Sequence, residues 1–240
     1  MIAGQSVLAI IPARGGSKGV PRKNIRMIAG RPLLAWTVDV AKASQYIDRV
    51  ILSSDDEEII AAALAAGCEV PFRRPADLAR DDTPGIAPVL HALGHLPHFD
   101  IVVLLQPTSP LREIADIDGC LERMISTRAP ACVSLREADD HPYWTVSCDA
   151  QGRMSPFVVP PGGTPTRRQD LPKAFVPNGA VYAARVDWLK LSGGFETSET
   201  IGFEMPAARS QDIDSEDDLR LAEIALLRRN GGATPPPAIR

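Results

Sequence analysis

The sequence predicts an α/β fold, doubly wound, with a mostly parallel sheet. Two apolar runs of strand length, residues 6–12 (SVLAIIP) and 101–105 (IVVLL), are continuous rather than alternating. That is the pattern of parallel strands buried on both faces. Helical stretches alternate with such runs over the first 135 residues, and a β-α-β-α rhythm builds a sheet with ligands at the carboxyl ends of its strands.

The elements follow in order. After strand 6–12 comes a long loop, and Pro32 opens a helix that runs to Ala43. Residues 49–53 form the second strand and 55–66 a helix, which Gly67 ends by adopting positive φ readily. A short third strand is expected at 69–72 and a helix at 86–96. The central strand 101–105 is followed by helix 114–127 and strand 131–135. From 139 to 177 the rhythm breaks into Pro, Gly and polar residues. That is too long for a routine connection, and strand-like pieces at 143–147 and 155–159 suggest an ordered arm. The main pattern resumes at 179–183, and the last strong helix spans 215–229. Residues 1–230 thus read as one domain with an arm at about 139–177, and 231–240 (GGATPPPAIR) as a flexible tail.

A chain of 240 residues suits one α/β domain plus such an arm. No run approaches the roughly 18–20 apolar residues of a membrane span, and the first residues do not resemble a secretion signal. The four cysteines, Cys68, Cys120, Cys132 and Cys148, form no C-x-x-C pair, which suits free thiols in a reducing cytoplasm. The net charge of −4 argues against a general nucleic-acid binder. The charge is unevenly placed, however. Residues 14–26 hold five bases and no acid, and 212–218 hold five acids and no base. A mildly acidic chain that gathers cations in one glycine-containing loop suits a small polyanion.

The loop is part of the string IIPARGGSKGVPRKN, residues 10–24. Glycines at 15, 16 and 19 let backbone N–H groups approach phosphate oxygens, and the bases offset their charge. Lys18 is followed by Gly19, so this is not a Walker A loop, and the glycine spacing is not that of a dinucleotide fingerprint. Near the other end, Asp212 and Asp214 flank Ile213 at strand spacing and point to one face. Two hard oxygen ligands there suit Mg²⁺. Ser215 and Asp218 instead have the spacing of a helix capping box, which accounts for the later acids but not for the first two. Gln106 directly follows the central strand, where a crevice residue is expected.

The fifteen-residue string resembles the signature of acylneuraminate cytidylyltransferases, the CMP-sialic acid synthetase family, which also includes legionaminic and pseudaminic acid enzymes. Four further blocks are similar in the same order: Arg74-Pro75 with Leu78-Ala79, LLQPTSPLR at 104–112, RRQDLPKAFVPNGAVY at 167–182 and DIDSEDDL at 212–219. The resemblance implies a fold of the nucleotide-diphospho-sugar transferase type whose arm protrudes to make a homodimer. It also implies transfer of CMP from CTP to the anomeric hydroxyl of a nine-carbon acidic keto-sugar, with Mg²⁺ as cofactor. By the same resemblance Arg14, Lys23, Asp212 and Asp214 would be catalytic, the two aspartates as metal ligands. Arg14, Gly15, Ser17, Lys18, Lys23, Asn24 and Arg74 would hold the nucleotide. Gln106, Arg168, Tyr182 and Phe195 would hold the sugar, with Arg168 on its carboxylate.

One departure bears on the sugar. After His141-Pro142, many sialic acid enzymes carry a base two positions on, whereas this chain has Tyr143-Trp144. The particular nonulosonic acid therefore stays open. An eight-carbon octulosonate substrate and an inactive binding homologue are the alternatives. The loop's S-K-G-x-P-x-K-N form disfavours the first, and the intact Asp212/Asp214 pair disfavours the second.

Overall fold

The computed structural model describes residues 1–17, 19–159, 162–163, 167–229 and 231. Its main sheet contains β1 (Val7–Pro12), β4 (Arg49–Ser53), β5 (Ile101–Leu104), β6 (Ala131–Glu137), β9 (Phe175–Arg185) and β10 (Ile201–Glu204), in the spatial order β10-β6-β9-β5-β1-β4. β1 runs parallel to β4 and β5, and β10 runs parallel to β6. β9 alone is antiparallel, to β5 on one side and β6 on the other. The sheet is therefore mostly parallel, as expected.

Alternation along β1 explains the two layers of helices. Val7, Ala9 and Ile11 join one buried cluster, and Leu8 and Ile10 join the opposite one. The first cluster takes apolar residues from α1 (Leu33–Ala43), α2 (Glu57–Ala65) and α4 (Ile114–Thr127). The second takes Val89 and Ala92 of α3 (Ala87–Gly94) and Val186 and Leu189 of α5 (Val186–Ser192). With helices on both faces, the strands have no polar edge to show except at their ends. A third cluster holds α6 (Glu216–Arg229) through Leu219, Ala222 and Leu226 against Leu33, Trp36 and the hairpin of β2 (Met27–Ile28) and β3 (Arg31–Pro32). Among the described residues no helix is long and apolar enough to cross a membrane.

Several expectations are corrected. The strand at 69–72 reduces to one bridge between Glu69 and Ile51, because Pro71 has no N–H to continue the ladder. The strand expected at 179–183 is eleven residues long and starts at Phe175, inside the expected arm. Pro177 and Gly179 hid it. Gly179 sits at φ +76°, and the pairing with β6 shifts register between Val133 and Leu135. α5 and β10 were not anticipated, since seven and four residues are too short to show a period. Gly202 of β10 is needed at its position, as a Cβ there would collide with Leu135 Cδ1.

In the arm, β7 (Val146–Cys148) and β8 (Met154–Pro156) make a two-stranded antiparallel hairpin. His141 ties the start of the arm to its end. Its Nε2 donates to Pro172 O at 3.0 Å, and its Nδ1 accepts from Tyr143 N at 3.1 Å. The Lys18 position and the tail from 232 on lie outside the described residues, as do 160–161 and 164–166 of the arm.

One buried charge ties the end of the chain to the sheet layer. Asp116, fully buried at the start of α4, accepts from Arg209 Nε at 2.9 Å and Nη2 at 2.8 Å, and from Glu113 N at 2.9 Å. Asp116→Ala would strand Arg209 and remove half of a capping box. It is expected to cost about 2–4 kcal/mol of unfolding free energy, measured by urea denaturation. A loss below about 0.5 kcal/mol, the scale of an ordinary surface change, would show the pair to be dispensable.

Candidate active site

The loop after β1 is held from three sides. Gly15 N donates to Asp55 Oδ1 at 3.3 Å, and Arg22 bonds Asp56 Oδ2 at 2.7 Å. Asp55 and Asp56 lie just past the carboxyl end of β4, and Asp56 also caps α2 by accepting from Glu58 N and Ile59 N. Asn24 Nδ2 donates to Arg14 O at 3.0 Å, which fixes the turn into the loop. Lys23 Nζ reaches across to Ile213 O at 2.6 Å and Asp214 Oδ1 at 3.2 Å. Two glycines are required by close approach. A Cβ on Gly15 would lie 2.6 Å from Asp56 Oδ2, and one on Gly19 would collide with the carbonyl oxygen of Asp214.

Arg74 lies behind this loop, 3% exposed, with Nη2 donating to Asp55 Oδ1 at 3.1 Å. Burial pulls its pKa down and Asp55 opposes that shift. Its Nε is buried without a hydrogen-bond partner among the described residues, and the side chain borders the cavity described next. Arg14 faces the same space, 2.8 Å from Asp81.

These groups line a cavity of about 680 Å³ at the carboxyl ends of β1 and β5. Arg14, Ser17, Lys23, Asn24 and Arg74 are on one side, and Gln106, Tyr182 and Phe195 on the other. The rings of Tyr182 and Phe195 are 5.7 Å apart and form an apolar wall. Burial raises the pKa of the Tyr182 phenol, which remains neutral. Gln106 is positioned from beneath by Arg112, whose Nη1 donates to Gln106 O at 3.3 Å and to Ala180 O. Complete burial pushes the Arg112 pKa down to about 9, still above neutral pH.

A second cavity of about 730 Å³ adjoins the first and shares Gln106 and Tyr182 with it. Both Asp212 and Asp214 line it, so they do face one space. They do so from a loop rather than a strand. Ile213 is fully buried between them and donates its N–H to Thr108 O at 2.9 Å. Burial raises the pKa of Asp212, a bond from the Thr108 side chain opposes this, and the charge of Asp214 adds to it. Ser215 and Asp218 form the expected capping box, with Ser215 N donating to Asp218 Oδ2 at 2.8 Å and Asp218 N to Ser215 Oγ at 3.2 Å. Among the described residues no group of three or more His, Cys, Asp or Glu could enclose a metal. A pair of carboxylates beside a cavity lined by Arg14, Lys23 and Arg74 nevertheless fits Mg²⁺, which takes one or two carboxylates and completes its shell with water or phosphate oxygens.

The fold thus lines the two cavities with Arg14, Ser17, Lys23, Asn24, Arg74, Gln106, Tyr182, Phe195, Asp212 and Asp214, while Gly15 sits in the loop beside them with its N–H on Asp55. Arg168 lies in the exposed turn Arg168–Asp170 and lines neither cavity of its own chain. Sequence reasoning did not single out Asp55, Asp56, Asp81, Thr108, Arg112, Arg136 or Asn178. Asp55 and Asp56 carried a signal as adjacent acids directly after a predicted strand, and Thr108, Arg112 and Asn178 lie inside blocks already noted at 104–112 and 167–182.

Residues 8–145 match the Cytidylyltransferase family. The chain is 32% identical over 228 residues to the CMP-N,N'-diacetyllegionaminic acid synthase of Legionella pneumophila, covering 90% of this chain and 94% of that one. It is 33% identical over 213 residues to the N-acylneuraminate cytidylyltransferase of Streptococcus agalactiae. That match covers 88% of this chain but spans only about half, 51%, of the longer relative. A CMP:2-keto-3-deoxy-manno-octonic acid synthetase solved with CTP superposes with a TM-score of 0.71 over 94% of this chain and 99% of that one. At 20% identity this last likeness speaks for the fold alone. A basic glycine loop and a carboxylate pair meeting at the strand ends, with sequence likeness along nearly the whole chain, make this protein a member of the cytidylyltransferase family.

Proposed function

We propose that this chain transfers CMP from CTP to the anomeric hydroxyl of a nine-carbon acidic keto-sugar of the sialic, legionaminic or pseudaminic type, releasing pyrophosphate. The observation that carries the reading is the junction of the two cavities at Gln106 and Tyr182. One side offers cations and backbone N–H groups for a triphosphate, and the other is polar and large enough for a sugar. The relatives named for legionaminic and neuraminic acids supply the substrate class. The octulosonate alternative rests on the fold likeness alone.

In this reaction the anomeric hydroxyl gives up its proton to solvent as its oxygen forms a bond to the α-phosphorus, the bond to the bridging oxygen breaks, and that electron pair leaves with pyrophosphate. Arg14 and Lys23 would neutralise phosphate charge, and Gly15, Ser17, Lys18 and Asn24 would hold the triphosphate in line. Arg74 would face the base or ribose. Gln106 would hydrogen-bond the sugar while Tyr182 and Phe195 exclude water beside it. Asp212 and Asp214 would hold Mg²⁺, which when bound supplies further charge neutralisation at the phosphates. Lys23 already touches Asp214, so the loop and the metal ligands would be set in place together.

A homodimer built through the arm, working in the cytoplasm, completes the proposal. Met154 and Phe157 of the arm are 73% and 74% exposed, apolar surface that a second copy could cover. Arg168 would then reach a sugar only from that second copy. The unpaired thiols suit a reducing compartment.

Pyrophosphate release with a nonulosonic acid should be strong with CTP, weak with ATP and GTP, and abolished by EDTA. Equal rates with GTP, or full activity in EDTA, would sink the assignment. Asp212→Asn and Asp214→Asn should each lower kcat at least about tenfold, or roughly 1.4 kcal/mol of barrier, with an unchanged circular dichroism spectrum. Near-normal turnover of both at limiting Mg²⁺ would leave these acids as part of a helix start.

A further inference from the structure

We infer that Arg136 receives the carboxylate of the acidic sugar. The inference rests on the transfer reaction proposed above and deepens it by naming the residue that admits an acid. Arg136 is the one Arg or Lys lining the second cavity among the described residues, where it is set against Asp139, Asp212, Asp214 and Asp218. With Asp212 and Asp214 assigned to Mg²⁺, an anionic sugar entering that space still meets Asp139 and Asp218, and Arg136 is the side chain on its wall that offsets them.

Its placement has a local cause. β6 ends on the side of the sheet that carries the cavities, and the ladder to β9 shifts register between Val133 and Leu135, just before Arg136. Ser134 takes up the disturbance. Its hydroxyl accepts from Val181 N at 2.8 Å and donates to Asn178 Oδ1 at 2.6 Å. The extra residues lie in β9, where 178–181 face the single residue Ser134, and Arg136, two positions beyond Ser134 on the same face of β6, reaches the wall of the cavity. Asn178, on the floor of the cavity, is held by the same bonds.

The guanidinium is half-occupied. Nη1 donates to Asp139 Oδ2 at 2.6 Å and to Glu137 O at 3.3 Å. Nε and Nη2 have no hydrogen-bond partner among the described residues, which leaves the edge that grips a carboxylate with two parallel bonds. Asp139 is 80% exposed, so its ion pair is weak and holds the arginine without competing strongly. Arg136 also supplies, from the chain's own sheet, a charge that Tyr143 and Trp144 do not.

Steady-state kinetics with CTP and N-acetylneuraminate, legionaminic acid and pseudaminic acid test this. Arg136→Gln is expected to raise KM for the accepted acid at least about tenfold while KM for CTP stays within about twofold. Arg136→Lys should restore part of the loss, because it returns the charge without the planar edge. Arg168→Gln is run beside them. An unchanged acid KM in Arg136→Gln overturns the inference, and so does a rise confined to Arg168→Gln, which moves the carboxylate to the arm. A raised KM for CTP in both Arg136 variants also overturns it, by moving Arg136 to the nucleotide. If the wild-type protein uses an octulosonate and none of the three acids, the proposed reaction fails before any variant is compared, and the inference fails with it.

Discussion

Burial of β1 and β5 on both faces governs the rest of this molecule. Val7 through Ile11 and Ile101 through Val103 are entirely inaccessible, with alternate side chains entering opposite clusters. Neither strand can carry a polar group along its length without leaving it unsatisfied in a dry interior. Chemistry is therefore confined to the residues where these strands stop. That is where Arg14 follows β1, Asp55 and Asp56 follow β4, and Gln106 follows β5.

Confinement alone would leave four loops pointing loosely at a common space. They become a site because each loop is fastened to another. Lys23 bonds the carbonyl of Ile213, Ile213 bonds the carbonyl of Thr108, and Gly19 lies against the carbonyl of Asp214. Asp55 holds both Gly15 and Arg74. Lys23 and Ile213 are 190 residues apart, so their alignment depends on the whole domain being folded. The cost is a set of constrained positions, such as Gly15 and Gly19, where even one added carbon would have to displace a neighbour.

The second cavity shows how a single antiparallel strand shapes specificity. β9 inserts between β5 and β6 and brings Asn178, Gly179 and Tyr182 to the lining of the second cavity. Gly179 is held close enough to Gln106 that a Cβ would lie 3.2 Å from its Oε1. The register shift opposite β9 separates the apolar face of β6 from Arg136 at its end. In the proposed reaction, nucleotide handling would belong to the parallel half of the sheet and sugar handling to the strand that breaks the pattern.

Local patterns were enough to read the parallel core, the basic glycine loop and the capping box at Ser215, because apolar runs, glycine content and cap spacing are short-range signals. They also placed Asp212 and Asp214 on one face, although the segment is a loop, since a buried Ile213 enforces the same alternation that a strand would. Pro71, Pro177 and Gly179 misled at the strands, where the outcome depends on which neighbour supplies the ladder rather than on propensity. Arg136 and Asp81 had no sequence signal, because nothing about an isolated charged residue tells which cavity it borders. Arg168 had a signal from its motif, yet in its own chain it stands apart from both cavities. The elements follow from contacts a few residues apart, whereas the site is set by contacts between segments far apart in the chain, and only the folded sheet creates those.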